Sequence, residues 1–346
     1  MTAVPLRSVR LGPVSFRLRP RVLAVCLALS AVVVAALVVC LTVGDYSITL
    51  ENVLAALAGR GKRLDRFFVR EVRLPRALTA VLVGAALGTA GAVFQSLSRN
   101  PLGSPDIIGF TSGASTGAVL TILVFGGGML STALGAMLGG VGTAALVYLL
   151  ALRQGVQGYR LVLVGIGVSA LLGSVTQYLI TRAELTDALS AQVWLIGTLN
   201  SREWSHVASV GVGSAVLIPV LLLLGGRLRL MEMGEDTARA LGVSAQRTQA
   251  LALVAASTLT GVAIAVSGPI AFVALAAPQL ARRLTRADGT TLTASALMGA
   301  ALLLCSDLAA LRLLAPVQLP VGVVTTVVGG TYLVWLLYAE WRSGRA

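Results

Sequence analysis

The sequence predicts an all-α polytopic membrane protein with about ten transmembrane helices and an inverted internal repeat. The first observation is composition: of 346 residues, 56% are hydrophobic and only 12% are charged. A soluble protein carries about twice that charged fraction. The second is that apolar runs of about 20 residues, the length that crosses a bilayer, recur along the chain. The third is a short glycine-rich motif that occurs twice.

The apolar runs define ten predicted spans, and an even number places both termini on one side of the membrane. The spans are Val22–Val43, Leu74–Leu97, Ile108–Phe125, Met129–Leu152, Leu161–Thr181, Val207–Leu224, Ala250–Val266, Ile270–Leu284, Leu292–Leu311 and Val321–Tyr338. The first run is too long for a cleaved signal peptide. We therefore predict a cytoplasmic tail over residues 1–21 and a single transmembrane domain over residues 22–346.

Arginine and lysine set the predicted orientation. With cytoplasmic termini most of them fall on the inner side, as the positive-inside rule requires. This reading also accounts for the net charge of +13 through topology and membrane lipid, not nucleic acid. The exception is the outer segment from Arg60 to Arg76, which holds seven. It is either a long loop partly balanced by nearby acids or a basic docking surface for an acidic partner, and we favour docking for Arg73 and Arg76.

The repeat consists of GAALGTAG, from Gly84 to Gly91, and GVAIAVSG, from Gly261 to Gly268. The copies begin five predicted spans apart, so they should run in opposite directions. Inverted repeats are typical of transporters, whose pathway lies near the repeat interface. Chance similarity between two helices rich in glycine and alanine is the alternative.

The stretch from Arg73 to Gly117 is predicted to form the pathway wall. It contains an apolar segment rich in small residues and then breaks at Asn100-Pro101 and Ser104-Pro105. Such breaks within a membrane are tolerated where protein or a water-filled cavity covers the freed backbone. The predicted lining residues are Gly84, Gly88, Gly91, Asn100, Pro101 and Gly113. For the glycines, close packing between helices is the alternative.

The segment over residues 225–249 is the longest predicted cytoplasmic connection. Gly234, Glu235 and Asp236 begin a short helix whose first-turn acids suit the helix dipole. Ala238 and Leu241 give it an apolar face, and Gly242 is a plausible C-terminal stop before a second short helix. The pair of helices is either a solvated linker or a contact surface for a soluble subunit.

Motifs for chemistry are missing from the sequence. It contains no GxxxxGK[ST] phosphate loop, no HExxH and no Cys/His ligand pattern, so we predict no catalytic residue, metal or cofactor. The single histidine, His206, is expected to play a structural role at the outer end of its span. Asp307 is the one intramembrane acid that we predict. We favour a structural hydrogen bond to a neighbouring helix over a role in transport for it.

Five blocks carry a resemblance to a known family. They are RLPRALTAVLVGAALG (Arg73–Gly88), QSLSRNPLGSPDIIGF (Gln95–Phe110), MGEDTARALGV (Met233–Val243), GPIAFVALAAPQLARR (Gly268–Arg283) and QLPVGVVTTVVGGTYL (Gln318–Leu333). In this order and spacing they resemble the iron–siderophore and vitamin B12 permeases (FecCD type) of ABC importers. The second and fifth blocks are most similar to ferric enterobactin permeases.

The resemblance implies a type II ABC importer permease with several partners. These are a second permease subunit, with a heterodimer favoured over a homodimer, two cytoplasmic ATPase subunits and an extracytoplasmic siderophore-binding protein. The cargo would be a ferric siderophore, or alternatively another iron chelate, haem or cobalamin. Arg73 and Arg76 would meet acids of the binding protein, and residues 234–243 would couple to the ATPase. An ion-coupled secondary carrier is the more distant alternative.

Two positions depart from the family pattern. Gln279 stands where the family commonly has histidine. Arg312 lies one place beyond Leu311, where the family often has an arginine that contacts the binding protein. A shift of one residue rotates a helical side chain by about 100°, so the sequence does not assign Arg312 to the docking surface.

Overall fold

The computed structural model describes residues 7–11, 14–106, 109–151, 158–287, 289–315 and 317–342. A short antiparallel hairpin, β1 (Arg7–Leu11) and β2 (Val14–Leu18), precedes the helices. The helices are α1 (Pro20–Thr42), α2 (Leu50–Leu57), α3 (Arg63–Phe67), α4 (Leu74–Ser98), α5 (Phe110–Phe125), α6 (Met129–Ala151), α7 (Gly158–Arg182), α8 (Leu185–Ile196), α9 (Trp204–Glu232), α10 (Glu235–Ala240), α11 (Ala245–Ser267), α12 (Val273–Thr285), α13 (Leu292–Arg312) and α14 (Val321–Arg342).

Each of the ten predicted spans coincides with a helix. Seven helical segments of the described chain are long and apolar enough to cross a membrane, and α5 and α14 hold shorter apolar stretches. The eighth predicted span is different, because α12 has 13 residues and a length of about 20 Å. It begins three residues later than predicted: Gly268 ends α11 with φ +69°, and no helix forms before Val273.

The centre of the fold is α4, which packs on α9, α11, α12 and α13 and is almost entirely buried beyond its second turn. Small residues make this possible. A Cβ atom at Gly84 would lie 2.3 Å from the carbonyl oxygen of Gly299 in α13, and one at Gly88 would lie 2.2 Å from that of Ser295. Packing without large side chains is what holds helices together in lipid.

The two copies of the repeat lie in α4 and α11, which pack directly on each other. Arg99, just after α4, and Gln249, in the first turns of α11, both reach Glu235. The end of α4 and the start of α11 therefore lie together, and the two helices run in opposite directions, as predicted. The copies differ at their last glycine: Gly91 continues its helix, whereas Gly268 ends the other.

The basic segment from Arg60 to Arg76, which we predicted to lie outside, is helical from Arg63 onward, so the description of it as a loop is wrong. It contains α3 and a π-helical turn, Phe68–Arg73, that runs straight into α4, and α2 precedes it. Tyr46 anchors α3 by donating a hydrogen bond from its hydroxyl to Asp65 at 2.8 Å. That bond raises the pKa of Tyr46. The helical turns before α4 thus hold its first turn in a fixed position.

The segment between α9 and α11, which we predicted to be cytoplasmic, is shorter than predicted. Helix α9 continues to Glu232 and α11 already begins at Ala245, so α10 is the one separate helix between them. The second short helix that we predicted is instead the first turn of α11, because the helical pattern after Ser244 continues unbroken into the span. Gly242 ends the region after α10 with φ +80°, as predicted.

Candidate functional site

Arg76 and Asp307 form a buried ion pair between α4 and α13. Arg76 donates from Nε to Oδ2 of Asp307 at 2.9 Å and from Nη2 to Oδ1 at 2.7 Å. The two side chains are 13% and 2% exposed. This two-point geometry is the strongest that arginine makes with a carboxylate. The structural role that we favoured for Asp307 is therefore what the geometry supports, with Arg76 as its partner.

Arg73 is also held by its own chain. Its Nη1 donates to the carbonyl of Leu41 at 2.8 Å, and its Nη2 donates to that of Tyr46. The guanidinium lies 5.9 Å from the centre of the Phe68 ring. The two arginines predicted for docking thus have internal partners, and Arg73 clamps the end of α1 to the start of α4.

A cavity of about 800 Å³ lies at the end of the bundle that the sequence predicts to face outward, and we call it the outer cavity. Arg73, Arg76, Arg202 and Arg312 line it together with Asp45, Glu71, Glu203 and Asp307. Arg312 lies 3.6 Å from Asp45, whose side chain is 81% exposed. The structure therefore places Arg312 in the same cavity as Arg73 and Arg76, a position that the sequence did not assign to it.

His206 lies in the first turn of α9. It is buried, and its Nδ1 accepts a hydrogen bond from the backbone N–H of Glu203 at 3.0 Å. Arg202 lies 3.3 Å from the other ring nitrogen and donates to the carbonyl of Thr198 at 3.2 Å. The predicted structural role of His206 is thus that of a helix cap, which orders the arginine beside the outer cavity.

The break follows the C-terminal end of α4, opposite to the end that carries Arg73 and Arg76, and it is hydrogen-bonded to α12. Gln279 donates from Nε2 to the carbonyl of Pro101 at 2.7 Å and is 3.4 Å from the Tyr332 hydroxyl of α14. Within the break, Asn100 accepts from the N–H of Leu102 at 2.9 Å. Asn100 and Pro101 therefore lie where α4, α12 and α14 meet.

Glu235 connects the short helix α10 to two spans. It accepts from Gln249 of α11 at 3.0 Å and lies 4.0 Å from Arg99 at the end of α4. Arg239 of α10 donates to Glu235 at 3.1 Å and to Asp236 at 3.0 Å. A force applied to α10 therefore reaches both helices of the inverted repeat.

The predicted apolar face of α10 is divided between two surfaces. Ala238 is fully buried in a small cluster with Met231, Val243 and Ala245, so it faces its own chain. Leu241 is 60% exposed and Met233 is exposed as well. An incoming subunit would therefore meet Leu241 and Met233 and not Ala238, which corrects the prediction for Ala238.

The glycines predicted to line the pathway contact neighbouring helices of the same chain. Cβ atoms at Gly84 and Gly88 would strike α13, one at Gly91 would lie 1.8 Å from the carbonyl oxygen of Ala274, and one at Gly113 would lie 2.1 Å from Oγ1 of Thr143. A residue in such contact cannot present that face to a passing molecule. The geometry supports the close-packing alternative for all four.

Comparison with known proteins identifies the family. The model of the FecCD transport family matches residues 32–339. The chain belongs to the FecCD transport family. It is therefore a transport subunit, and with its apolar helices it is a multi-pass membrane protein.

The matches to individual relatives extend over most of this chain and most of each relative. The ferric enterobactin transport system permease protein of Escherichia coli K12 is 46% identical over 93% of this chain and 98% of its own. The iron(3+)-hydroxamate import system permease protein of Bacillus subtilis 168 is 35% identical over 86% and 91%. An ABC transporter described as metal-chelate type and solved in an inward-facing conformation matches with a TM-score of 0.82 and 30% identity, covering 91% of this chain and 99% of its own.

Sequence reasoning missed two polar residues that connect α4 to α12 in this FecCD family member. Gln95 donates to the carbonyl of Leu275 at 3.0 Å and accepts from Arg282 at 2.6 Å. Both lie within quoted family blocks, but polar residues inside an apolar segment show their partners only when the helices are placed. Together with Gln279 they join α4 and its following break to α12.

Proposed function

We propose that this chain is the permease subunit of an ATP-driven importer that carries a ferric siderophore, a catecholate complex of the enterobactin type, across the cell membrane. The observation that carries the proposal is the 46% identity to the ferric enterobactin permease over 93% of the chain. The blocks Gln95–Phe110 and Gln318–Leu333 support the same substrate class. The chain itself provides passage and does no chemistry on the complex.

Transport follows from alternating access. A second permease subunit, in our proposal a different and related chain, completes the pathway, and two cytoplasmic ATPase subunits drive it. When the ATPases close on ATP they displace α10, and Glu235 passes this displacement to the end of α4 through Arg99 and to α11 through Gln249. Because Gln279 ties the break at Pro101 to α12, the same movement rearranges the inner end of the path.

In the orientation that we propose, both termini and α10 lie in the cytoplasm. The end of α4 that carries Arg73 and Arg76 then faces outward, where an extracytoplasmic binding protein delivers the complex. Four arginines and four acids line the outer cavity at this end. Arg73, whose side-chain hydrogen bonds go to backbone carbonyls and not to a carboxylate, is the guanidinium that we propose for acids on the incoming protein.

Uptake by the reconstituted importer tests the proposal. Liposomes containing this chain, its partner permease and the ATPases are expected to accumulate ferric enterobactin only with the binding protein outside and ATP inside. Accumulation that persists without the ATPases under a proton gradient would instead establish a secondary carrier. Omitting this chain while keeping the partner permease is the matched control.

A second candidate substrate is a ferric hydroxamate, favoured by the relative from Bacillus subtilis that is named for hydroxamate import. The same liposomes distinguish the two, because an excess of unlabelled ferric hydroxamate should leave uptake of the catecholate complex unchanged if our proposal is right. Competition by the hydroxamate and not by the catecholate would reassign the substrate.

Replacing Leu241 by Asp is expected to reduce transport-coupled ATP hydrolysis at least tenfold without unfolding the chain. Its side chain is exposed, so the charge costs little in the free subunit but would be buried against the ATPase. ATPase activity of the purified complex measures the effect. The matched control Arg247→Asp, on an exposed side chain nearby, should retain activity, and normal coupling in Leu241→Asp would contradict the assignment.

Replacing Arg73 by Glu is expected to weaken docking of the binding protein at least tenfold, since it reverses one charge of the outer cavity. Surface plasmon resonance on the assembled importer measures the affinity. Arg182→Glu is the control, because Arg182 is exposed and does not line the outer cavity. Co-purification of the ATPases confirms the assembly of each variant. Unchanged affinity for the binding protein in Arg73→Glu would rule out the docking role of this residue.

A further inference from the structure

A second cavity of about 490 Å³ lies at the cytoplasmic end of the bundle as we orient it. It is bounded by the start of α1, the last turns of α9 and the start of α13. Its polar wall includes Arg19, Arg229 and Thr291, and its apolar wall includes Val22, Leu23 and Leu222. None of these residues belongs to the outer cavity or to the network around Glu235.

The polar wall is built for an anion. Among the described residues the side chains of Arg19 and Arg229 make no hydrogen bond and no ion pair, so both guanidinium groups are free to bind. The hydroxyl of Thr291 is buried without a partner, and the residue is 9% exposed. A buried hydroxyl without a partner carries a desolvation cost that a bound oxygen atom would remove.

Two helix N-termini add to this positive potential. Helix α1 begins after Arg19 and α13 after Thr291, and neither has a side-chain cap. The first backbone N–H groups of α13 are therefore available, whereas α1 begins with Pro20, which has no N–H. The dipoles of both helices favour negative charge at this point. The nearby Glu232 accepts a hydrogen bond from Thr290 and does not line the cavity.

The apolar wall decides which anion fits. Leu23 and Leu222 are exposed, and the exposed surface continues along α1 to Leu27. A free phosphate ion would leave this surface uncovered. A phospholipid would place an acyl chain along it while its phosphate reaches the arginines. Basic pockets between helices on the cytoplasmic side are a known form of lipid site.

We propose that this cavity binds an anionic phospholipid, with the headgroup phosphate between Arg19 and Arg229 and an acyl chain along α1 and α9. The lipid would tie the first helix of the chain to α9, which leads directly into α10. The proposal concerns the resting membrane protein and does not depend on which substrate is transported.

Native mass spectrometry of the assembled importer tests the site. The complex is delipidated and titrated with dioleoyl phosphatidylglycerol or dioleoyl phosphatidylcholine. Wild type is expected to retain the anionic lipid, and Arg19→Gln with Arg229→Gln should bind it roughly thirty-fold more weakly, since each basic residue near a membrane surface contributes about fivefold. Arg227→Gln with Arg247→Gln, two exposed arginines at the same end, should bind as wild type does.

The outcomes separate the possible ligands. Equal retention of phosphatidylcholine, or unchanged binding in the Arg19 and Arg229 double variant, overturns the proposal. Displacement of the lipid by millimolar inorganic phosphate would show a site for the free ion and also overturn it. Thr291→Val provides a second variant that keeps both charges and the side-chain shape; it should weaken retention at least threefold, and wild-type retention would count against the assigned headgroup position.

Discussion

Asp307→Asn is expected to lower the free energy of unfolding by about 3–5 kcal/mol, the usual cost of removing one member of a buried ion pair. The substitution leaves Arg76 charged against an amide in a setting where Asp307 is 2% exposed. Its two hydrogen bonds also join α4 to α13, at the centre of the fold. Denaturant titration of the purified importer in detergent measures this loss in the free energy of unfolding.

Two further variants separate the ion pair from other effects. Asp45→Asn removes the partner of Arg312, but that pair is 3.6 Å apart and exposed, so we expect a change below about 1 kcal/mol. Arg76→Met combined with Asp307→Leu removes both charges and should recover most of the stability, because apolar pairs of similar volume replace buried ions well. Wild-type stability in Asp307→Asn alone would mean that the pair holds nothing together.

Gly88→Val is expected to cost about 3 kcal/mol or more and to reduce the yield of folded protein severely. Its Cβ would lie 2.2 Å from the carbonyl oxygen of Ser295, far inside contact distance. A backbone carbonyl cannot turn aside as a side chain does, so α4 and α13 must separate, which is the costly form of overpacking. Size-exclusion chromatography and unfolding of the surviving fraction measure the effect.

Gly167→Val is the matched control, since a Cβ at this helical glycine of α7 meets nothing within 4 Å. We expect a change of less than about 1 kcal/mol, set by helix propensity alone. If Gly88→Val folded as well as Gly167→Val, the close approach of α4 and α13 would not be what stabilises the core.

The fold was predictable because its signals are local. Apolar runs mark the helices, and the small residues from Gly84 to Gly91 mark the helix that packs most closely. The failures share a cause as well. Residues 270–284 are apolar enough for a span, but Gly268 adopts a positive φ and delays the start of α12. Hydropathy indicates whether a segment can lie in an apolar environment, but it does not indicate where the backbone turns.

The candidate sites were predictable only in part. The arginines of RLPR, the break at Asn100–Pro101 and the short helix after Gly234 all stand out as local patterns. Which side chains they meet does not. Ala238 and Leu241 are three residues apart and equally apolar in sequence, yet one faces the chain and the other faces outward. The rotation of a six-residue helix against its neighbours decides that difference.

By itself the sequence determined the membrane class, the approximate position of ten apolar helices and the family, because composition, hydropathy and motif spacing are properties of adjacent residues. The tertiary structure decided that Arg76 has Asp307 as its partner, 231 residues further along the chain. It also decided that the glycines of α4 face α13 and α12, and that Gln279 holds the break at Pro101. These contacts depend on the relative rotation and depth of separate helices, and no local pattern encodes either.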